Sequence, residues 1–399
     1  MAGIGRFGAI SLLIALGLAL PAFAQSPGAQ DGSEPFSVVD VRTADQAWSP
    51  DGTVLTYSAR STEDWYYDIW SVDLLSMRYR CLTCSLSLLR KHNGSPAWRP
   101  DGSFMVFTAE NADVLPMADA QAVPGVGVNC NVWAMTPDGR KAWPLTRYAT
   151  DYAAPRAVLR PQFSQDGTRL FWTEAVGDPG PAGNRGYAWG IWQLAVADFV
   201  VTDGVPSLKN LQHHLPGDRV AFYRGKGFAP GDRYLLLAGN PEKNQPLNGM
   251  DIYEYDLQTG RLTRLTRTAD AWDDYPSFGP DGRFIVFSSG RGLGAAFPEL
   301  THPEWQKYAR SEMWVMDRNG ANARPLTRFN QADDPDREWF TRRVGAASRF
   351  FVGDIELDPA GNRAALNVFY EGPDGVVGSV LLSLNLEQRM KEPPRKPGR

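Results

Sequence analysis

The residues able to do chemistry in this chain are few. Four histidines stand at His92, His213, His214 and His302. His213 and His214 are adjacent, and neighbours on a strand point to opposite faces, so the two cannot easily share one metal there. Acidic groups cluster as Asp270, Asp273 and Asp274, and again as Asp333, Asp334, Asp336 and Glu338. Neither cluster matches the D-x-[DN]-x-[DN]-G calcium loop, and the second reads as a solvated acidic loop. The sequence holds no G-x-S-x-G nucleophile elbow, no H-E-x-x-H zinc motif and no G-x-x-x-x-G-K-[ST] phosphate loop. Two of the three cysteines, Cys81 and Cys84, form C-L-T-C. A redox dithiol needs a helix N-terminus to depress its thiol pKa, whereas MRYRCLTCSL reads as strand and turn. A structural disulfide between Cys81 and Cys84, or two free thiols, is the expectation. Cys130 is the odd one, expected to be buried beside Val132 and Trp133.

The elements that position these residues repeat. QAWSPDGTVLTY (46–57), PAWRPDGSFMVF (96–107), PQFSQDGTRLFW (161–172), KGFAPGDRYLLL (226–237) and PSFGPDGRFIVF (276–287) are near copies, and IELDPAGNRAAL (355–366) is a weaker sixth. In each, a core anchor precedes an Asp-Gly-type turn, and apolar residues then alternate at period two, as in a half-buried strand. A second motif follows: DIWSVD (68–73), NVWAMT (131–136), GIWQLA (190–195), DIYEYD (251–256), EMWVMD (312–317) and SVLLSLN (379–385). A third, Leu-Thr, closes four units at 81–83, 144–146, 264–266 and 325–327. One unit is therefore a four-stranded antiparallel sheet. Such sheets bury both faces only by stacking, and radial closure is the usual solution. An all-β, six-bladed β-propeller follows, with loops inserted at Glu110–Val128, Gly290–Arg310 and Arg328–Arg349. The sixth unit lacks an outer strand, and FSVVDVRT (36–43) is expected to supply it and close the ring.

The anchors are Trp48, Trp98, Phe163, Phe228, Phe278 and Leu357. The strand leading to each should be the innermost, its start rimming the central channel. Three residues before the anchors stand Asp45, Ser95, Arg160, Gly225, Tyr275 and Asp354; four before stand Ala44, Gly94, Leu159, Arg224, Asp274 and Gly353. Opposite charges thus gather at equivalent positions, either as mutual salt bridges closing the channel or as a polar site for a peptide or small ligand. The candidate funnel-rim residues are Asp45, His92, Arg160, Arg224, Asp274, Tyr275 and Asp354. Two aromatic groups, Trp65-Tyr66-Tyr67 and Phe297, Trp305 and Tyr308, lie in loops, as binding anchors or as satellite core.

Composition bounds the rest. Apolar residues make up 43% and aromatics 12%, enough for a core and suited to strands. A net charge of −4 argues against a nucleic-acid partner. Arg6, the apolar run Ile10–Leu20 and Ala22-Phe23-Ala24 read as a cleaved signal peptide over 1–24. Residues 25–35 are expected as a linker, 36–390 as the propeller, and 391–399 as a flexible tail. The mature chain is expected to be periplasmic or secreted, without a transmembrane segment, and monomeric.

The AWSPDG, AWRPDG, FSQDG and FGPDG turns, each followed by an aromatic D-I-W/Y strand and Leu-Thr, resemble the repeats of the TolB-type β-propeller over roughly residues 36–387. TolB carries an additional N-terminal α/β domain, which is not expected here, so the resemblance is to stand-alone exported members. Such propellers include protein-binding periplasmic scaffolds, peptidase propeller domains and oligogalacturonate lyases. The resemblance implies a non-catalytic scaffold for an envelope or secreted protein or peptide, engaged through the funnel or the loop face. The alternative is a hydrolase or lyase working in the funnel on saccharide or peptide. No cofactor is expected, with a divalent metal in the funnel as the alternative.

Overall fold

A computed structural model describes residues 34–86, 91–115, 124–152, 156–177, 191–217, 221–246, 249–268, 271–294 and 309–393. The signal-peptide segment, Asp270, Phe297, His302, Trp305, Tyr308 and the end of the tail lie outside them. After β1 (Phe36–Val41), the first blade runs through β2 (Thr43–Trp48), β3 (Val54–Arg60), β4 (Tyr67–Asp73) and β5 (Arg78–Cys81). The second is β6 (Asn93–Trp98), β7 (Met105–Glu110), β8 (Cys130–Met135) and β9 (Ala142–Pro144). The third is β10 (Ala157–Phe163), β11 (Arg169–Gly177), β12 (Ile191–Thr202) and β13 (Val205–His214). The fourth is β14 (Tyr223–Phe228), β15 (Tyr234–Gly239), β16 (Asp251–Asp256) and β17 (Leu262–Arg264). The fifth is β18 (Asp273–Phe278), β19 (Phe284–Ser289), β20 (Glu312–Asp317) and β21 (Arg324–Pro325). The sixth is β22 (Arg349–Leu357), β23 (Arg363–Glu371) and β24 (Val377–Asn385), with β1 added beyond β24.

The expected six-bladed ring is therefore observed, and β1 closes it by pairing antiparallel with β24, Phe36 opposite Leu384. The closure is also tied to the first blade. The Tyr57 hydroxyl donates to Asp40 at 2.6 Å and that of Tyr79 to the Val39 carbonyl at 2.9 Å. Each anchor ends an innermost strand. The turns that follow need a left-handed residue, which Gly supplies without steric cost: Gly52, Gly102, Gly167, Gly282 and Gly361 have φ between 68° and 72°. The core lies between blades. Ala97, Phe104 and Val106 of the second blade, for example, share one cluster with Phe163, Leu170 and Trp172 of the third.

The Leu-Thr motif is a clasp between the third and fourth strands. Thr83 Oγ1 donates to Asp68 at 2.6 Å and accepts from the Ile69 amide at 3.0 Å. Thr146 with Asn131, Thr266 with Asp251 and Thr327 with Glu312 repeat this. The first residue of the D-I-W motif and the Thr are thus one device, which satisfies the backbone where the outer strand ends.

Two short helices depart from the all-strand expectation. In α1 (Pro335–Arg343), Asp334 caps the N-terminus by accepting from the Asp336 amide, and Pro335 opens the first turn. The cluster Asp333–Glu338 is therefore not simply a solvated loop. Asp336 is fully buried and takes a two-pronged ion pair from Arg389 of α2 (Leu386–Lys391), at 2.9 and 3.1 Å. Phe36 packs against Phe329 and Trp339 and lies 5.3 Å under the Arg389 guanidinium, so both helices support the closing strand. No helix among the described residues is long and apolar enough to cross a membrane.

Candidate functional site

Each innermost strand carries a register shift at the same place, between Thr43 and Gln46, Gly94 and Ala97, Leu159 and Gln162, Gly225 and Gly227, Asp274 and Ser277, and Val352 and Ile355. A bulge re-aims side chains, and here it falls on or beside the positions three residues before the anchors. Ser95, Arg160 and Tyr275 adopt φ of 51°, 50° and 50° there. For residues as bulky as Arg and Tyr this conformation is strained, and it persists only where surroundings hold it.

The holding groups are charges from other blades. Arg160 of β10 donates to Asp354 of β22 at 2.7 Å and to Asp45 of β2 at 3.1 Å. Asp45 also accepts from Ser95 Oγ at 2.8 Å. Lys226 of β14 donates to Asp354 at 2.7 Å and contacts Glu356. Gln46 reaches the Asp354 carbonyl at 2.9 Å. Arg224 pairs with Asp274, which also accepts from Trp272 Nε1 at 3.1 Å and the Tyr275 amide at 2.7 Å. Tyr275 lies under both guanidiniums, 5.0 Å from Arg160 and 4.6 Å from Arg224. Asp45, Arg160, Arg224, Asp274 and Asp354 are all buried.

Burial sets the electrostatics. It raises the Asp354 carboxyl, but Arg160 and Lys226 overcome this and hold it at about 2. Burial opposes the Arg160 charge too, yet Asp354 and Asp45 raise its pKa and keep the guanidinium protonated. For Asp274 and Glu356 burial outweighs the adjacent cations and the carboxyls move up. Burial pushes the Tyr275 phenol to about 12.

His92 is engaged elsewhere. It sits at the loop end of β6, accepts at Nδ1 from the Tyr67 amide at 3.3 Å, and meets the Tyr66 ring edge-on at 5.0 Å. Burial, then the charges of Arg60 and Lys91, lower its pKa to about 3, so the ring is neutral. Asp273 pairs with Arg291 at 2.7 Å. His213 and His214 face apart as the alternation requires, one toward Glu174 at 2.9 Å and the other toward Tyr255 at 3.3 Å. Lys226 and Glu356 escaped the sequence reading because they lie two residues and one residue before their anchors. A charged residue set between glycines in RGKGF was the available signal.

The innermost strands run from one end of the ring to the Asp-Gly turns at the other. The β3–β4-type connections and the crossovers between blades therefore share the opposite, loop-bearing face. Trp65, Leu115, Tyr152 and Leu215 are exposed there, on connections of the first to fourth blades. The Trp65-Tyr66-Tyr67 run divides: Tyr67 is core, Tyr66 half-buried, and Trp65 45% exposed. Trp65 has φ 65°; Arg60 lies 5.0 Å over its indole and donates to its carbonyl at 2.9 Å. Cys81 and Cys84 form a disulfide beside the first clasp, and Cys130 is buried and outside that disulfide.

Fold and axis together define a six-bladed β-propeller whose innermost strands are joined by ion pairs. Among solved structures it is similar to TolB from Acinetobacter baumannii (21% identity, TM-score 0.46, 73% of this chain and 56% of that one). It is likewise similar to a putative TolB from Agrobacterium tumefaciens (16%, 0.44, 77% and 87%) and to an oligogalacturonate lyase in complex with manganese (12%, 0.45, 89% and 94%). No protein-family model matches the chain. A dipeptidyl-peptidase 5 of Porphyromonas endodontalis is 25% identical over 183 residues, which span 39% of this chain and 26% of that relative. With likenesses of this size, the architecture rests on the strand pairing itself, and the relatives' activities remain theirs.

Proposed function

We propose that this chain is an exported binding propeller that engages a protein or peptide segment through its loop-bearing face, without chemistry of its own. Trp65 carries the reading. A tryptophan in the left-handed region is a backbone outlier, and such strain marks clamps and docking sites when neighbours enforce it. Arg60 enforces it by stacking and hydrogen bonding, which leaves the indole pre-ordered yet 45% exposed. Rigid aromatic anchors flanked by arginine are the side chains that dominate binding energy at protein interfaces. The axial charges support the same choice of face, because they are buried against one another. Export rests on the Ala22-Phe23-Ala24 signal, and the mature N-terminus should be Gln25.

The test is crosslinking capture from envelope extracts with three chains: wild type, Trp65→Ala and Leu75→Ala. Leu75 is 89% exposed on the turn between β4 and β5, at the opposite end of the ring. A partner retained by wild type and Leu75→Ala but lost by Trp65→Ala supports the reading. Equal capture by all three chains, or capture by none, overturns it.

A further inference from the structure

The first blade differs from the other clasped blades in what flanks its Leu-Thr pair. Three clasps read Pro144-Leu-Thr-Arg147, Arg264-Leu-Thr-Arg267 and Pro325-Leu-Thr-Arg328; the first reads Cys81-Leu-Thr-Cys84. In the fourth blade, Arg264 stands where Cys81 stands in the first, and its guanidinium pairs with Asp251, donating from Nε at 3.0 Å. Asp251 is the counterpart of Asp68. The fold therefore places a positive charge beside the clasp carboxylate in one blade and two sulfurs in another. One carboxylate oxygen of Asp68 and the sulfurs of Cys81 and Cys84 all lie within 4.8 Å of one another. Tetrahedral Zn–S bonds of about 2.3 Å require sulfurs roughly 3.8 Å apart, within the reach of these side chains once the S–S bond is open. Cys84 is exposed and Cys81 partly so, which gives both reductant and metal a path.

We propose that Cys81, Cys84 and Asp68 form a binding site for a Zn2+-class divalent ion, switched on when a dithiol opens the Cys81–Cys84 disulfide. The dithiol gives two electrons and two protons and becomes a disulfide; the chain's S–S bond becomes two thiols. Metal binding then releases both thiol protons, because thiolate is the ligand. Two thiolates and one carboxylate leave a fourth position for water or for a partner's ligand.

The experiment titrates Zn2+ into dithiol-reduced, desalted protein against a chelating indicator, and records the spectrum with Co2+ as a stand-in. Reduced wild type should bind one equivalent with thiolate-to-metal charge-transfer bands, and oxidised protein none. Asp68→Asn should weaken binding roughly tenfold or more, at least the loss that follows removal of a ligand's outer partner. This variant should fold, because the second blade already builds its clasp with Asn131; the unfolding temperature checks it. Cys81→Ser should abolish the charge-transfer bands. Failure of reduced wild type to bind overturns the proposal. So does equal binding by the oxidised chain, and so does a folded Asp68→Asn that binds as tightly as wild type.

Discussion

Arginine lies over an aromatic ring on left-handed backbone both at the axis of the propeller, over Tyr275, and on its loop-bearing face, over Trp65. At the axis, Arg160 and Tyr275 both have φ 50°, and Arg160 is 2% exposed. On the loop, Trp65 has φ 65° and is 45% exposed under Arg60. The local device is the same and the surroundings differ. At the axis, burial obliges every charge to find a partner within the chain, and the partners come from different blades: Asp45 from the first, Lys226 from the fourth, Asp354 from the sixth. On the loop, Arg60 is half-buried and one part of the indole stays open. The first arrangement spends its strain on holding the ring together; the second, on the proposed reading, holds a side chain ready for another molecule.

The largest effect separating the two regions should come from Asp354→Ala. It leaves Arg160 with Asp45 and Lys226 with Glu356 as their remaining carboxylates in a buried site, and removing one partner of a buried ion pair costs about 3–5 kcal/mol. Urea unfolding measures it; a loss below about 1 kcal/mol, the scale of an exposed pair, would erase the contrast. The same residue makes the contrast pH-dependent. Its folded pKa of about 2 lies below the ordinary 3.8, so its contribution is complete above the unfolded value and is lost as pH falls through the folded one. Between about pH 4 and pH 2 wild type should lose about 2 kcal/mol more than Asp354→Asn. Parallel pH curves for the two proteins would show that the axis does not hold this carboxylate ionised. Tyr275→Leu comes next. It keeps the backbone strain and removes the ring beneath two guanidiniums, at about 1–3 kcal/mol for desolvated cation–aromatic contacts.

Most of this axis was legible in the sequence, for a physical reason. Hairpin chemistry repeats, so the anchors fix a register, and counting back three and four residues finds Asp45, Arg160, Arg224, Asp274, Tyr275 and Asp354. The count fails at Lys226 and Glu356 because a bulge in every innermost strand breaks the simple alternation. It fails differently at His92, which belongs to the Tyr66–Tyr67 contacts of the neighbouring blade. The helix α1 was hidden by the acidic reading of Asp333–Glu338, although Asp334-Pro335 is a helix-start signal and Arg342-Arg343 suits a helix end. The clasp was visible as two separate motifs, and only the fold shows that Asp68 and Thr83 answer each other.

The smallest stability effect should be the most instructive. Trp65→Gly loses the stack with Arg60, worth about 0.5–1 kcal/mol at an exposed site. It also removes a side chain from backbone at φ 65°, relieving strain of order 1 kcal/mol, since Gly adopts this region without penalty. Freedom gained by the unfolded chain offsets part of that relief, by about 0.4–1 kcal/mol. The terms nearly cancel, so the unfolding free energy should change by less than about 1 kcal/mol in either direction. Trp65→Ala keeps the strained backbone while losing the same stack, so Gly should be the more stable of the two variants although it is ordinarily the worse residue. If Ala proves more stable than Gly, the left-handed conformation of Trp65 is not held in solution, and the two stacks are not variations on one device.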